Sequence, residues 1–363
     1  MSLILLFVAA LCVGGCVAPS EAVPEAYVYA PTAPSAYPME RRAFLSHRDL
    51  VAVLANDTKM VDPTGTLRPE DIPPPTPVTC GGTLPGTDHT VVCVATPPVG
   101  GWILEPPARC RSSGTLILLH GYVPDPQRYT TAVRALLISA PDLFRSLRVV
   151  VPFAPRYKKQ LVQGFQPDVY SWFDANPLAA NLFGELVNLT TVGEVEARLV
   201  SAPEDADRLG LFLSTRRIEA IVHRERRLLR RAGGVHRRGG RIVLLGHSVG
   251  AAMATHVALV STAPLAGVVA LQGFLAAPRS VARLASAGAI SRARRPYTLD
   301  FVAGGADPIV PPLLVKASSR VVRRALSTAG RVVYESLGGV THASFFFPGD
   351  DAAAVARVLR RHF

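Results

Sequence analysis

Charge is scarce in this chain. Only 18% of its 363 residues are Asp, Glu, Lys or Arg, against 49% hydrophobic, which excludes a disordered, solvated polymer and leaves enough apolar surface for a substantial core. Lysine is rarer still. The net charge of +12 therefore comes mostly from arginine, much of it clustered between Arg216 and Arg241. Such an excess would suit an anionic membrane or a nucleic acid. No zinc-finger spacing and no RNP-type aromatic pattern accompanies it, so no nucleic-acid partner is expected and the arginines read as polar helix faces. Cysteine is sparse too. Beyond Cys12 and Cys16 the chain has only Cys80, Cys93 and Cys110, which permits at most one disulfide among the three. Cys80 with Cys93, across a turn, is the first candidate, and spacing alone leaves the pairing open. There is no internal repeat, and no metal or organic cofactor is implied.

Residues 1–18 form an apolar run without a charge, ending before Pro19. This length reads as a signal peptide or N-terminal anchor better than as a spanning helix, although no Lys or Arg precedes Leu3. Val13-Gly14-Gly15-Cys16 resembles a bacterial lipobox, which would place a lipid on Cys16. The expectation is a secreted or membrane-anchored protein, with membrane association through the N-terminus. Residues 19–78 read as a Pro/Ala-rich linker carrying one short helix, capped by Ser46 with Asp49 closing a capping box. Asn56 and Asn188 stand in glycosylation sequons.

Residues 79–363 read as one catalytic domain. Short Val/Ile/Leu runs predict strands at 115–119, 148–151, 242–245, 267–271, 298–303 and 332–335, each apolar enough to be buried on both faces. Helical patterns lie between them, at about 127–139, 205–232, 249–260, 311–327 and 350–361. Such alternation predicts the α/β class: a mostly parallel, doubly wound sheet flanked by helices.

The chemistry begins at Gly246-His247-Ser248-Val249-Gly250, directly after one strand and before the small residues Ala251 and Ala252. A serine between two glycines at a strand-to-helix turn is a nucleophile elbow. The glycines permit the tight backbone, and the helix N-terminus favours developing negative charge. A serine hydroxyl needs a base, and the base needs an orienting acid. Two loops after later strands present them in that order: Gly304-Gly305-Ala306-Asp307 and Gly338-Gly339-Val340-Thr341-His342. Ser248 is thus the candidate nucleophile, Asp307 the acid and His342 the base. Two backbone N–H donors are needed for the oxyanion. Val249 offers one, and Tyr122, after His120-Gly121, the other. His120 reads as a hydrogen-bonding support. His247 should point into the packing behind the elbow, His256 should be a satisfied helix histidine, and Asp300 should be held inside its strand.

The stretches LILLHGY, VVVPFAP followed by SWFDA, LLGHSVGAA, ALQGFLA, GGADPIVP and SLGGVTHAS together resemble the carboxylesterase/acyl-protein thioesterase (phospholipase/carboxylesterase) family of α/β-hydrolases, from about residue 113 onward. The pairing of PFAP with SWFD is the distinctive part. The resemblance implies Ser248, Asp307 and His342 as triad, Tyr122 and Val249 as oxyanion hole, and Trp172 and Phe173 bordering the substrate groove. It implies an ester or thioester hydrolase, lysophospholipase-like in its reach, acting on a small-molecule or acylated substrate. The family usually carries HGLGD where this chain has His120-Gly121-Tyr122-Val123-Pro124-Asp125, and GFSQGG where it has Gly246-His247-Ser248-Val249-Gly250-Ala251. Those departures bear on substrate choice. They also leave room for a non-catalytic exported binding protein on the same scaffold, or a lipase or peptidase using the same triad.

Overall fold

The apolar runs pair into the centre of an eight-stranded sheet. A computed structural model describes residues 78–96, 98–107, 112–123, 125–157, 169–174, 189–201, 207–231, 241–286, 297–307, 309–326, 330–342, 344–346 and 349–363. The predicted leader, the helix at Ser46, both sequons, Cys16 and Cys110 lie outside the described residues.

The strands are β1 (Thr90–Val94), β2 (Gly101–Glu105), β3 (Gly114–Leu119), β4 (Leu147–Pro152), the two-residue β5 (Arg156–Tyr157) and β6 (Val169–Tyr170), β7 (Arg241–His247), β8 (Gly267–Leu271), β9 (Thr298–Gly304) and β10 (Arg331–Leu337). The large sheet runs β1-β2-β4-β3-β7-β8-β9-β10. From β4 to β10 all neighbours are parallel, while β1 and β2 form an antiparallel edge on β4. All six predicted strands are present within a residue or two. The edge pair escapes the search for continuous apolar runs because β1 is partly open to solvent. A disulfide between Cys80 and Cys93 pins that edge, with the Cα atoms 5.4 Å apart.

The helices are α1 (Tyr129–Ser139), α2 (Pro141–Phe144), α3 (Val192–Ser201), α4 (Arg208–Arg231), α5 (Val249–Val260), α6 (Pro278–Ser286), α7 (Pro312–Leu326) and α8 (Asp350–Leu359). Alternate strand residues feed two cores. Leu116, Leu118, Val243, Leu245 and Val269 meet α1, α2 and α8 on one face. Ile117, Leu119, Ile242, Leu244 and Val268 meet α3 to α7 on the other. Both faces are covered, which is why the central strands carry continuous apolar runs in place of a polar–apolar alternation; each fully buried Val, Ile or Leu contributes about 1.5–3 kcal/mol.

One topological feature positions the site. β3 lies between β4, which follows it, and β7, so the chain leaves β3 toward one side of the sheet and returns on the other. A crevice opens at the carboxyl ends of the strands flanking such a reversal, where open α/β sheets bind ligands. His120 and Gly121 follow β3 there, and Ser248 follows β7.

Candidate active site

Ser248 stands between β7 and α5 with φ 56 and ψ −122. A side chain in this region costs of order 1–3 kcal/mol and persists only where the surroundings impose it. Here they do. A Cβ on Gly246 would collide with the Gly250 carbonyl, and one on Gly250 with the carbonyls of Leu119 and His120. The two glycines let β7, α5 and the end of β3 close around the serine, which is 9% exposed. The Ser248 N–H donates to the Leu271 carbonyl at 3.0 Å.

Asp307 follows β9 and His342 follows β10, and the two meet. Asp307 Oδ2 accepts from His342 Nδ1 at 2.8 Å, while Oδ1 accepts from the N–H groups of Ile309 and Val310 at 2.8 and 2.9 Å. Both carboxylate oxygens are occupied, so the Asp307 carboxylate is fixed in rotation. With Nδ1 donating to it, the His342 imidazole keeps Nε2 for accepting a proton. The His342 ring centroid lies 4.7 Å from that of His247, the residue before Ser248.

The loop after β3 is held from three directions. Its Gly121 N–H donates to the Tyr129 hydroxyl at 2.7 Å. His120 Nδ1 donates to the Gly121 carbonyl at 2.7 Å, because Nε2 is already accepting from the Ala154 N–H at 2.9 Å. Val123 pairs with Tyr170 of β6. Burial pushes the His120 imidazole down to about 4, so it is a neutral hydrogen-bonding support, as expected from its position. Tyr122 lies within this held loop, half-buried against the core. Val249 is the first residue of α5, where N–H groups have no partner inside the helix.

The groove expectation for Trp172 and Phe173 needs correction. They are 0% and 1% exposed. Trp172 Nε1 donates to the His120 carbonyl at 2.9 Å, its own carbonyl accepts from Ser214 Oγ, and the Phe173 carbonyl accepts from Ser171 Oγ. These aromatics back the loop from inside the core; they do not form a solvent-facing wall. Arg217 completes that backing. It donates to the carbonyls of Pro98, Val99 and Phe153 and sits 5.9 Å above the Trp172 ring, and burial brings its guanidinium down to about 10.

Sequence reasoning missed Tyr129 and Gln272. Tyr129 Oη and His247 Nδ1 lie 2.7 Å apart, and His247 Nε2 faces both Gln272 Oε1 at 2.9 Å and the His342 carbonyl at 3.0 Å. Gln272 has φ 51 at the end of β8, the other non-glycine positive φ among the described residues. A polar residue closing the run Gly267–Leu271 is the signal that would have found it. His256 is on α5 and is pushed down to about 4 by burial. Asp300 is buried in β9 and paired with Arg361 and His362. Among the described residues no cluster of His, Cys, Asp and Glu is arranged to hold a metal ion.

Residues 202–346 match the model of the phospholipase/carboxylesterase family. Among solved structures the chain is similar to esterase PE8, at 22% identity over 72% of this chain and 97% of that one, with a TM-score of 0.45. It is similar to acyl-protein thioesterase 2 of Zea mays at 19% identity over 72% and 97%, TM-score 0.46. A carboxylesterase of Mesorhizobium loti aligns at 17% identity over 79% and 99%, TM-score 0.44.

Proposed function

We propose that this α/β-hydrolase, matched to the phospholipase/carboxylesterase family over residues 202–346, cleaves carboxylic esters or thioesters through an acyl-enzyme on Ser248. The observation that carries the reading is the Asp307–His342 hydrogen bond at the same sheet end as a strained, glycine-flanked serine. His342 Nε2 takes the Ser248 proton as Oγ attacks the acyl carbon. The resulting oxyanion draws on the N–H groups of Tyr122 and Val249, the Gly121 N–H being committed to Tyr129. The C–O or C–S bond breaks and the leaving alcohol or thiol takes the proton from His342. Water, deprotonated by the same imidazole, then attacks the acyl-enzyme, frees the acid and returns Ser248.

Replacing Ser248 with Ala is expected to lower hydrolysis of short p-nitrophenyl esters by about 10⁴-fold or more and to abolish labelling by a fluorophosphonate. Undiminished hydrolysis, or labelling elsewhere, would sink the assignment. A wild-type protein that does not label at all would instead favour a non-catalytic binding protein. The apolar run over residues 1–18 supports export, with the mature protein secreted or held at a membrane, through a lipid if Cys16 is modified. Mass analysis of the mature N-terminus distinguishes a cleaved, a lipidated and a retained leader.

A further inference from the structure

Behind the serine lies a line of buried polar side chains that the hydrolytic steps do not use. Its hydrogen-bond directions follow from the partners. His247 Nε2 faces two oxygens, Gln272 Oε1 and the His342 carbonyl, so Nε2 carries the proton. Burial first, and then the charge of His342, pushes this imidazole down to about 3, so the ring is neutral and Nδ1 bears a lone pair. The Tyr129 hydroxyl must then donate to Nδ1, and its oxygen accepts from the Gly121 N–H. At the other end the Gln272 amide oxygen is taken by His247, and its Nε2 donates to the Thr341 carbonyl at 2.6 Å. The edge-to-face ring of Phe346 closes over Tyr129 at 4.9 Å and His247 at 5.8 Å. The three relay side chains are 0–3% exposed.

We propose that Tyr129, His247 and Gln272 form a positioning relay that holds the oxyanion-side loop at Gly121 and the base-side loop at Thr341–His342 in register across Ser248. It rests on the hydrolase reading above and adds three positioning residues to it. One end fixes the Gly121 amide, which sets the peptide carrying the Tyr122 N–H. The other holds the carbonyls of Thr341 and His342, which sets where the base ring emerges from its loop. Gln272 keeps a left-handed backbone, unusual for its type, and thereby brings its amide onto that loop. Both tethers pass through His247, so breaking either contact of that ring should disturb the same alignment. A displacement of about 1 Å between nucleophile and base can cost of order 10²-fold in rate.

The test is a double-mutant cycle on the full chain with p-nitrophenyl acetate, measured well below each variant's melting temperature. Tyr129→Phe and His247→Phe are each expected to lower kcat at least about ten-fold with KM within about two-fold. The double variant should be no slower than the worse single one, because both remove the same relay. Losses that multiply, or single variants within two-fold of wild type, would overturn the proposal. If a ring variant does not fold, Gln272→Met carries the same comparison against Tyr129→Phe. A second readout needs no variant of the relay: ¹⁵N-histidine spectra of the wild type should show one imidazole held as the neutral Nε2–H tautomer between pH 5 and 9, and its absence would overturn the relay. Labelling of wild-type Ser248 by a fluorophosphonate separates the two failures. Without it the hydrolase reading falls; with it, multiplicative losses remove the relay alone.

Discussion

Gly121 carries two duties at one backbone position. Its N–H is the relay's anchor, and a Cβ there would stand 2.8 Å from the Tyr129 hydroxyl and 3.1 Å from Ser248 Cβ. Neither neighbour can give way, since the hydroxyl is bonded on both sides and the serine is held by its strained turn. Gly121→Ala is therefore expected to lower kcat on short esters by about 10²-fold, the usual cost of one oxyanion donor, while circular dichroism stays unchanged. An unaffected kcat would show that the loop tolerates displacement. At this scale the candidate residues were legible because their signals are local: a glycine-flanked serine, an aspartate in a Gly-Gly turn and a histidine after another. Tyr129 carries no such signal, and Gln272 only the faint one of a polar residue closing an apolar strand. A tyrosine early in a helix and a glutamine after a strand take their meaning from what they face.

Among the elements, α4 does most to brace the site from behind. Its Ser214 and Arg217 hold the Trp172 carbonyl and the carbonyls of Pro98, Val99 and Phe153. Replacing Arg217 with Met keeps much of the stem but leaves three half-buried carbonyls without their donor, at about 1–3 kcal/mol for each one that water cannot reach. A loss of about 3 kcal/mol is expected in urea denaturation, with the ester KM changing less than the stability. A loss below about 1 kcal/mol would mean that water replaces the guanidinium. The sequence pattern located α4 to within three residues, since a long amphipathic period is a strong signal. It marked the arginines only as solvated charge. Arg217 is the exception, because its place on the helix turns it inward against the aromatic pair, and the same packing takes Trp172 and Phe173 out of the groove the resemblance gave them.

For the whole molecule, burial of neutral histidines makes stability depend on pH. His247, His120 and His256 are pushed down to about 3, 4 and 4, in each case by burial first, whereas an unfolded chain titrates them near 6.5. Below pH 6.5 the unfolded chain takes up protons that the folded one refuses. Stability is therefore full above that pH and falls as pH drops toward 4, by about 1.4 kcal/mol per pH unit for each histidine. Melting temperatures from pH 7.5 to 4.5 should decline steeply, and His256→Gln, away from the relay, should flatten the slope by about one proton. An unchanged slope would assign the acid sensitivity to other groups. What the sequence by itself determined was the class of sheet, the chain order of the candidate serine, aspartate and histidine, and the glycine-flanked turn that carries the serine. These follow from the strand period, from turn chemistry and from glycines that only a crowded backbone requires, all of which act over a few residues. Only the tertiary structure decided which polar groups meet. The packing of α1 on the sheet brings Tyr129 to His247 across 118 residues, and the order of the strands brings Gln272 to Thr341 across 69. A buried hydrogen bond depends on where its partner lies in space, which no local pattern encodes.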